Sequence, residues 1–197
     1  MEANYLNIAY YAFDVKTLGP GRRIAVWVQG CQRRCQNCLS PEWQAIIPAH
    51  VWHIDDFKNM LAQQTEMSGL TVSGGEPMLQ AAGLMKLWSG LKQSQPSWTL
   101  IVFSGFTRSE IIQGNDPART AFLAEADAFI GGPYIDELND GKDLKGSGNQ
   151  EIFFKPDSKF DKFQQSLFFQ TERHIEIRVG ERDVFLVGIP PTDFHRD

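Results

Sequence analysis

Cysteine is scarce in this chain: there are three among 197 residues, all between positions 31 and 38. An odd, clustered set gives no framework of paired disulfides, and it leaves no thiols elsewhere for an auxiliary metal centre. Histidine is also sparse, with four residues. The ones nearest the cysteines, His50 and His53, lie beyond a stretch containing Trp and Pro, so a closed four-ligand zinc site has no ready fourth ligand. No apolar run approaches the length that spans a bilayer, which excludes a membrane helix as an expectation. The opening Met1-Glu2-Ala3-Asn4 lacks a positive region before a hydrophobic core, so no secretory signal is expected. Clustered unpaired thiols fit a reducing cytoplasm. Positive charge is not in excess either. The net charge of −5 argues against an extended nucleic-acid surface. Repeats, low-complexity tracts and linkers are missing, and the expectation is one domain over 1–197.

What is present is concentrated. Val28-Gln29-Gly30-Cys31-Gln32-Arg33-Arg34-Cys35-Gln36-Asn37-Cys38 holds every cysteine. Three residues separate Cys31 from Cys35, and two separate Cys35 from Cys38. The apolar run Ile24-Ala25-Val26-Trp27-Val28 precedes them and reads as a buried strand. The thiols therefore project from a loop at the C-terminal end of a strand, where α/β sheets place their chemistry. Three thiolates on a short loop suit a 4Fe-4S cluster through Cys31, Cys35 and Cys38. Such a cluster usually takes four cysteines, so one iron is left open for a small molecule. A zinc site, a disulfide and unlinked thiols are the competing readings.

Around this loop the chain alternates strand and helix. A first strand is expected over residues 6–13, and a Gly/Pro turn over 17–23 delivers the chain to the cysteine strand. Ser40-Pro41-Glu42-Trp43 reads as a helix start, with Ser as N-cap and Pro first; its N-terminus would favour a negatively charged cluster. A helix is expected over 53–64, with His53 as a surface residue near its start. A strand over 69–72 runs into Ser73-Gly74-Gly75-Glu76-Pro77, where two glycines let backbone approach a ligand or take positive φ. Further helices are expected over 79–91, 108–112 and 118–126, and strands over 98–103 and 127–130. A short helix over 160–169 and a hairpin joining 174–179 to 183–187 through Gly180-Glu181-Arg182 complete the chain. Parallel strands with covering helices follow from this order.

The cysteine spacing resembles the cluster loop of the radical S-adenosylmethionine (SAM) enzymes. Gly19-Pro20-Gly21-Arg22, Val28-Gln29-Gly30-Cys31 and Pro41-Glu42 resemble the activating enzymes of glycyl radical enzymes. Gly74-Gly75-Glu76-Pro77 falls where that family has its Gly-Gly-Glu-Pro motif. Ser104-Gly105-Phe106-Thr107 is similar to its Gly-Tyr-Thr turn, and Gly146-Ser147-Gly148-Asn149-Gln150 to a stretch of its anaerobic ribonucleotide reductase activators. The chain departs from the pattern at Leu18 and Gly131, where members carry acids, and at Phe106, where they carry Tyr. The resemblance covers about 1–155 and leaves 156–197 as an extension. It implies a partial, open (β/α) barrel with a C-terminal β-hairpin. It further implies a 4Fe-4S cluster and SAM as cofactors, with SAM bound by Ser73, Gly74, Gly75, Glu76, Ser104 and Asn149, and no catalytic residue beyond the cluster ligands. Asn149 and Gln150 can each donate and accept hydrogen bonds, and either is a ligand contact or a loop fastener. The implied activity is reductive cleavage of SAM to a 5′-deoxyadenosyl radical. The implied partners are a glycyl radical enzyme or peptide, entering the open side, and an electron donor such as flavodoxin or ferredoxin. A radical SAM enzyme acting on another peptide or small molecule, and a non-catalytic iron–sulfur or zinc protein, are the alternatives.

Overall fold

A computed structural model describes residues 4–169, 172–179 and 184–192. Its frame is a mixed sheet of seven strands: β1 (Tyr5–Val15), β2 (Arg23–Val28), β3 (His50–His53), β4 (Gly69–Gly74), β5 (Thr99–Ser104), β6 (Ala128–Gly131) and β7 (Glu151–Phe154). They lie in the order β3-β1-β2-β4-β5-β6-β7. β2, β4, β5 and β6 run parallel to one another. β1 is antiparallel to β2 and β3, and β7 is antiparallel to β6. The expected parallel pattern thus holds for the middle four strands, and antiparallel strands flank it on both sides.

Each parallel crossover carries helices, α1 (Ile54–Ala62) before β4, α2 (Ala81–Ser94) before β5, and α3 (Arg108–Gln113) with α4 (Pro117–Glu125) before β6. They bury their apolar stripes on one sheet face. Ile24, Val26 and Val28 of β2 meet Phe57, Leu61, Leu84, Trp88 and Phe122 there. The alternate residues Ala25 and Trp27 point to the other face. β2 is buried along its whole length because that second face is covered as well.

The cover comes from the C-terminal segment. Phe160 and Phe168, flanking the short helix α5 (Lys162–Ser166), pack on Ile101, Ala128 and Ile130. A two-stranded hairpin, β8 (Ile175–Val179) with β9 (Val184–Gly188), sets Val187 against Ala25, Trp27 and Leu18. The expected turn of this hairpin, 180–182, and residue 183 lie outside the described residues. Arg173 fastens the segment, donating to the carbonyls of Lys142 (3.0 Å), Lys145 (2.6 Å) and Pro190 (3.3 Å) and to Asn139 Oδ1 (2.7 Å).

One expected element is corrected. No helix starts at Ser40. Pro41–Trp43 is a single 3₁₀ turn, and the Ser40 side chain makes no cap. The chain beyond it is drawn back onto the sheet by bonds described below, so this segment supplies no helix N-terminus to the cysteines. At the far end of the parallel strands lies Arg23, fully buried on β2. Burial lowers its pKa. The guanidinium donates to Thr71 Oγ1 (2.6 Å), Thr99 Oγ1 (2.9 Å) and the carbonyls of Leu70 (2.7 Å), Thr99 (2.9 Å) and Pro20 (3.3 Å). These bonds tie three adjacent strands and the turn before them into one rigid end.

Candidate functional site: a three-cysteine loop on a glycine turn

The cysteine loop is fastened at both ends by backbone. β2 and β4 run in register from Arg23 and Gly69 to Val28 and Gly74. Directly beyond, Gly75 N–H donates to Val28 O and Glu76 N–H to Gly30 O, both at 2.8 Å. The outgoing end of the loop returns to the same place, with Gly30 N–H donating to Trp43 O (2.8 Å) and Cys31 N–H to Gln44 O (3.0 Å). The excursion from 31 to 43 is closed like an Ω-loop.

This packing gives the glycine pair a reason the sequence did not show. A Cβ on Gly75 would lie 2.3 Å from Gly30 O and 2.8 Å from Trp43 O. Gly74 has φ of +105°, and a Cβ there would lie 2.4 Å from Val28 N. The glycines admit the cysteine loop itself, rather than only the approach of a ligand.

A buried polar trio holds the stretch after the loop. Asn7 N–H donates to Gln80 Oε1 (2.8 Å), and Gln80 Nε2 donates to Asn7 O (2.9 Å) and Gln29 O (3.2 Å). Asn7 Nδ2 donates to Ile47 O (2.8 Å), Asn7 Oδ1 accepts from Ala49 N–H (2.8 Å), and Gln29 Nε2 donates to Ala45 O (2.6 Å). The fastening role of these three residues is not legible in the sequence, because their partners lie far away in the chain.

The three thiols line a cleft of about 160 Å³ at the C-terminal ends of β2, β4 and β5. Ser73, Gly74, Gly75, Glu76 and Ser104 line the same cleft. Cys31 is the most enclosed thiol, 9% exposed, and burial pushes its pKa up, against the N–H of Arg33, which donates to its Sγ at 3.4 Å. Ser40 N–H donates likewise to Cys38 Sγ at 3.4 Å. Arg33 lies over the Phe106 ring, 4.0 Å from its centroid, and pairs with Glu110 at 2.7 Å. On the other side of the loop Asn37 donates to Asp136 (2.7 Å), which also accepts from Tyr134 Oη (2.6 Å). Tyr134, a cleft residue, is raised to about 12 by burial and by this carboxylate.

Glu76 is wholly buried. Its Oε1 accepts from Met78 N–H (2.9 Å) and Ser104 Oγ–H (2.8 Å), and its Oε2 accepts from Gly105 N–H (2.7 Å). Burial raises its pKa against these three donors and the Arg33 charge. The carboxylate joins the end of β4 to the end of β5. Asn149 is not part of the cleft lining; its amide donates to Pro133 O (2.8 Å) and accepts from Ser147 Oγ (2.7 Å). Gln150 lines the cleft but also fastens its own loop, accepting from Gly146 N–H (2.7 Å) and donating to Gly132 O (2.7 Å). At the departures from the family pattern, Leu18 makes an apolar patch of cleft wall, and Phe106 is the base on which Arg33 rests.

The donor set suits an iron–sulfur cluster. A cubane gives each thiolate a separate iron, so the sulfurs need not converge on one point. Among the described residues no three His, Cys, Asp or Glu side chains converge on a single ion. N–H groups directed at sulfur are the contacts that tune such a centre.

Several known proteins are similar to this chain. The anaerobic ribonucleoside-triphosphate reductase-activating protein of Vibrio cholerae is 29% identical over 150 residues, covering 73% of this chain and 94% of that protein. The pyruvate formate-lyase-activating enzyme of Staphylococcus aureus is 37% identical over 82 residues, which are 39% of this chain and 33% of that enzyme. Among solved structures, QueE from Escherichia coli overlaps 52% of this chain and 53% of its own at 15% identity, with a TM-score of 0.44. The family model of the 4Fe-4S single cluster domain matches residues 17–153, which contain the cysteine loop, the glycine turn and β2 through β6. With most of its length matched, this chain belongs to the 4Fe-4S single cluster domain family.

Proposed function

We propose that the chain is a radical SAM enzyme that activates a glycyl radical enzyme, with a 4Fe-4S cluster on Cys31, Cys35 and Cys38 and SAM beside it. The observation that carries this reading is the joining of the cysteine loop to the Gly74–Glu76 turn by direct backbone hydrogen bonds, on one cleft at the strand ends. When bound, the cluster supplies one electron that cleaves the sulfonium of SAM, giving methionine and a 5′-deoxyadenosyl radical that takes a hydrogen atom from the substrate.

The chain's own residues do the rest. Cys31, Cys35 and Cys38 hold three irons, and the amides of Arg33 and Ser40 favour the charged sulfurs. Ser73, Gly74 and Gly75 offer the polar edge for the methionyl end of SAM. Glu76 acts through Ser104 and Gly105, holding the adjoining strand end at fixed distance. Trp27, Trp43, Leu18 and Leu186 make apolar walls that exclude water from a reactive radical. We read the sheet as a partial, open barrel, and the chain as a cytoplasmic protein served by a small electron carrier. Among the described residues no helix is long and apolar enough to cross a membrane.

The substrate reading rests on the Vibrio cholerae relative, whose name is that of a reductase activator and which this chain covers nearly whole. It is tested by mixing the reduced, reconstituted protein with SAM and the glycyl radical enzyme encoded in the same genome. A glycine-centred doublet in electron paramagnetic resonance that requires Cys31 is the expected result. SAM cleavage without that doublet would move the substrate to another peptide or small molecule.

A further inference from the structure

We propose that the β8–β9 hairpin is a positioning element for the cysteine loop, and that Phe185 transmits its hold through Trp43. The effect on a bound cluster rests on the function proposed above; the hold on the loop does not.

Trp43 is the residue at which the loop closes, since its carbonyl accepts from Gly30 N–H at 2.8 Å. It sits in a 3₁₀ turn of three residues with no side-chain cap. A turn this short does not hold its own geometry. Its ring, however, is one of four packed together from four parts of the chain. Phe185 of β9 stacks on Trp43 at 5.8 Å with an interplanar angle of 29°. Phe185 also lies 3.9 Å from Tyr10 of β1 and 5.6 Å from Trp27 of β2, and Trp27 lies 5.6 Å from Trp43. The ring stack is the side-chain fastening of Trp43, and the hairpin supplies one of its members.

The hairpin is itself braced at its other end. Glu176 Oε1 accepts from Lys16 N–H (2.6 Å), Thr17 N–H (3.0 Å) and Thr17 Oγ–H (3.0 Å), and the sequence that follows β1 is thereby gripped. A hairpin anchored on the β1–β2 connection and pressed on Trp43 cannot shift without moving the backbone that carries Cys31. Leu186 and Ile189 line the cleft beyond Phe185, so the chain supplies this wall from its own C-terminal segment.

If the hairpin only covered apolar surface, losing one ring would lower overall stability and leave the loop no more mobile than the rest. Amide hydrogen exchange separates the two cases, and the full chain without iron is sufficient. Phe185→Ala is expected to speed exchange at Gly30 and Cys31 on the order of tenfold while the α2 amides stay as in the native chain. Phe185→Tyr, which keeps the ring, is expected to restore protection, and Val179→Thr on the exposed side of the hairpin is expected to change nothing at the loop. If Phe185→Ala does not fold, Phe185→Leu fills the volume without a ring face and should show a smaller rise at the same two amides. Exchange at Gly30 and Cys31 equal to native in a folded Phe185 variant overturns the proposal. After loading with iron and sulfide, Phe185→Ala should release iron to a chelator faster than the native protein. A native chain that takes up no cluster, but shows the exchange change, retains the hairpin's role and refutes the proposed cofactor instead.

Discussion

Replacing Glu76 with Gln changes almost no volume and isolates what the buried carboxylate does. Both oxygens of Glu76 accept, Oε1 from two donors and Oε2 from one. A glutamine has one acceptor oxygen and one NH₂ group. If its oxygen faces Met78 and Ser104, the NH₂ meets the Gly105 N–H that now lies 2.7 Å from Oε2. If it is turned over, the NH₂ meets the Met78 N–H instead. Either way a buried amide N–H loses its acceptor and faces another donor. Loss of a charge-assisted bond costs about 1.5–3 kcal/mol, and a buried unsatisfied donor about 1–3 kcal/mol. Some of that is offset because a neutral amide is easier to bury than a carboxylate, whose pKa burial has raised here. The expected net loss is about 2–4 kcal/mol, a large share of the roughly 5–15 kcal/mol that holds a domain. Urea denaturation of the iron-free chain at neutral pH, followed by far-ultraviolet circular dichroism, reads this directly. Glu42→Gln, an exposed carboxylate of the same cleft, is the control and should change stability by less than about 0.5 kcal/mol. A Glu76→Gln chain that unfolds within about 0.5 kcal/mol of native would show that the three donors do not depend on the carboxylate, and the reasoning would fail.

Gly75→Ala should destabilise the cysteine loop and lower iron uptake in reconstitution, because its Cβ would stand 2.3 Å from Gly30 O; native iron content would contradict this. Arg23→Lys keeps the charge but has too few donors for the five acceptors around the guanidinium, and a loss of about 3–5 kcal/mol in denaturant titration is expected. Burial pushes Glu176 up, but the bonds from Lys16, Thr17 and Arg178 outweigh it and hold its pKa below the ordinary 4.5. Its stabilisation is therefore present above that value and lost as pH falls through the folded pKa. Glu176→Gln should be less stable than native at neutral pH, with the gap closing in acid; a gap that widens in acid would reverse the assignment.

Signals that are local are legible in the sequence. The cysteine spacing, the glycine turn and the period of α1, α2 and α4 all lie within a few residues of each other, and α2 starts two residues from its expected place at 79. The hairpin alternation likewise appears as β8 and β9. What was illegible depends on partners distant in the chain. β3 is four residues, partly exposed and begins and ends with His, so it carries no strand pattern until β1 pairs with it. The helix expected at Ser40 had the right cap residues, yet Gly30, Cys31 and Gln29 capture Trp43, Gln44 and Ala45 and draw the chain away. Gly75 was rightly singled out for its lack of a side chain, but the atom that needs the space is Gly30 O. Asn149 is versatile enough to contact a ligand or to fix a loop, and in the fold its amide bonds Pro133 and Ser147, partners the sequence does not reveal.

The central claim is that Cys31, Cys35 and Cys38 hold a cluster that cleaves SAM. The direct measurement is 5′-deoxyadenosine formed when the anaerobically reconstituted, reduced protein is incubated with SAM, set beside iron and sulfide content for the native chain and for Cys35→Ala. Four irons and four sulfides per chain are expected with 5′-deoxyadenosine released, and loss of most iron and all product in the variant. A native chain holding only zinc, or a Cys35→Ala chain with full iron and undiminished product, would contradict it.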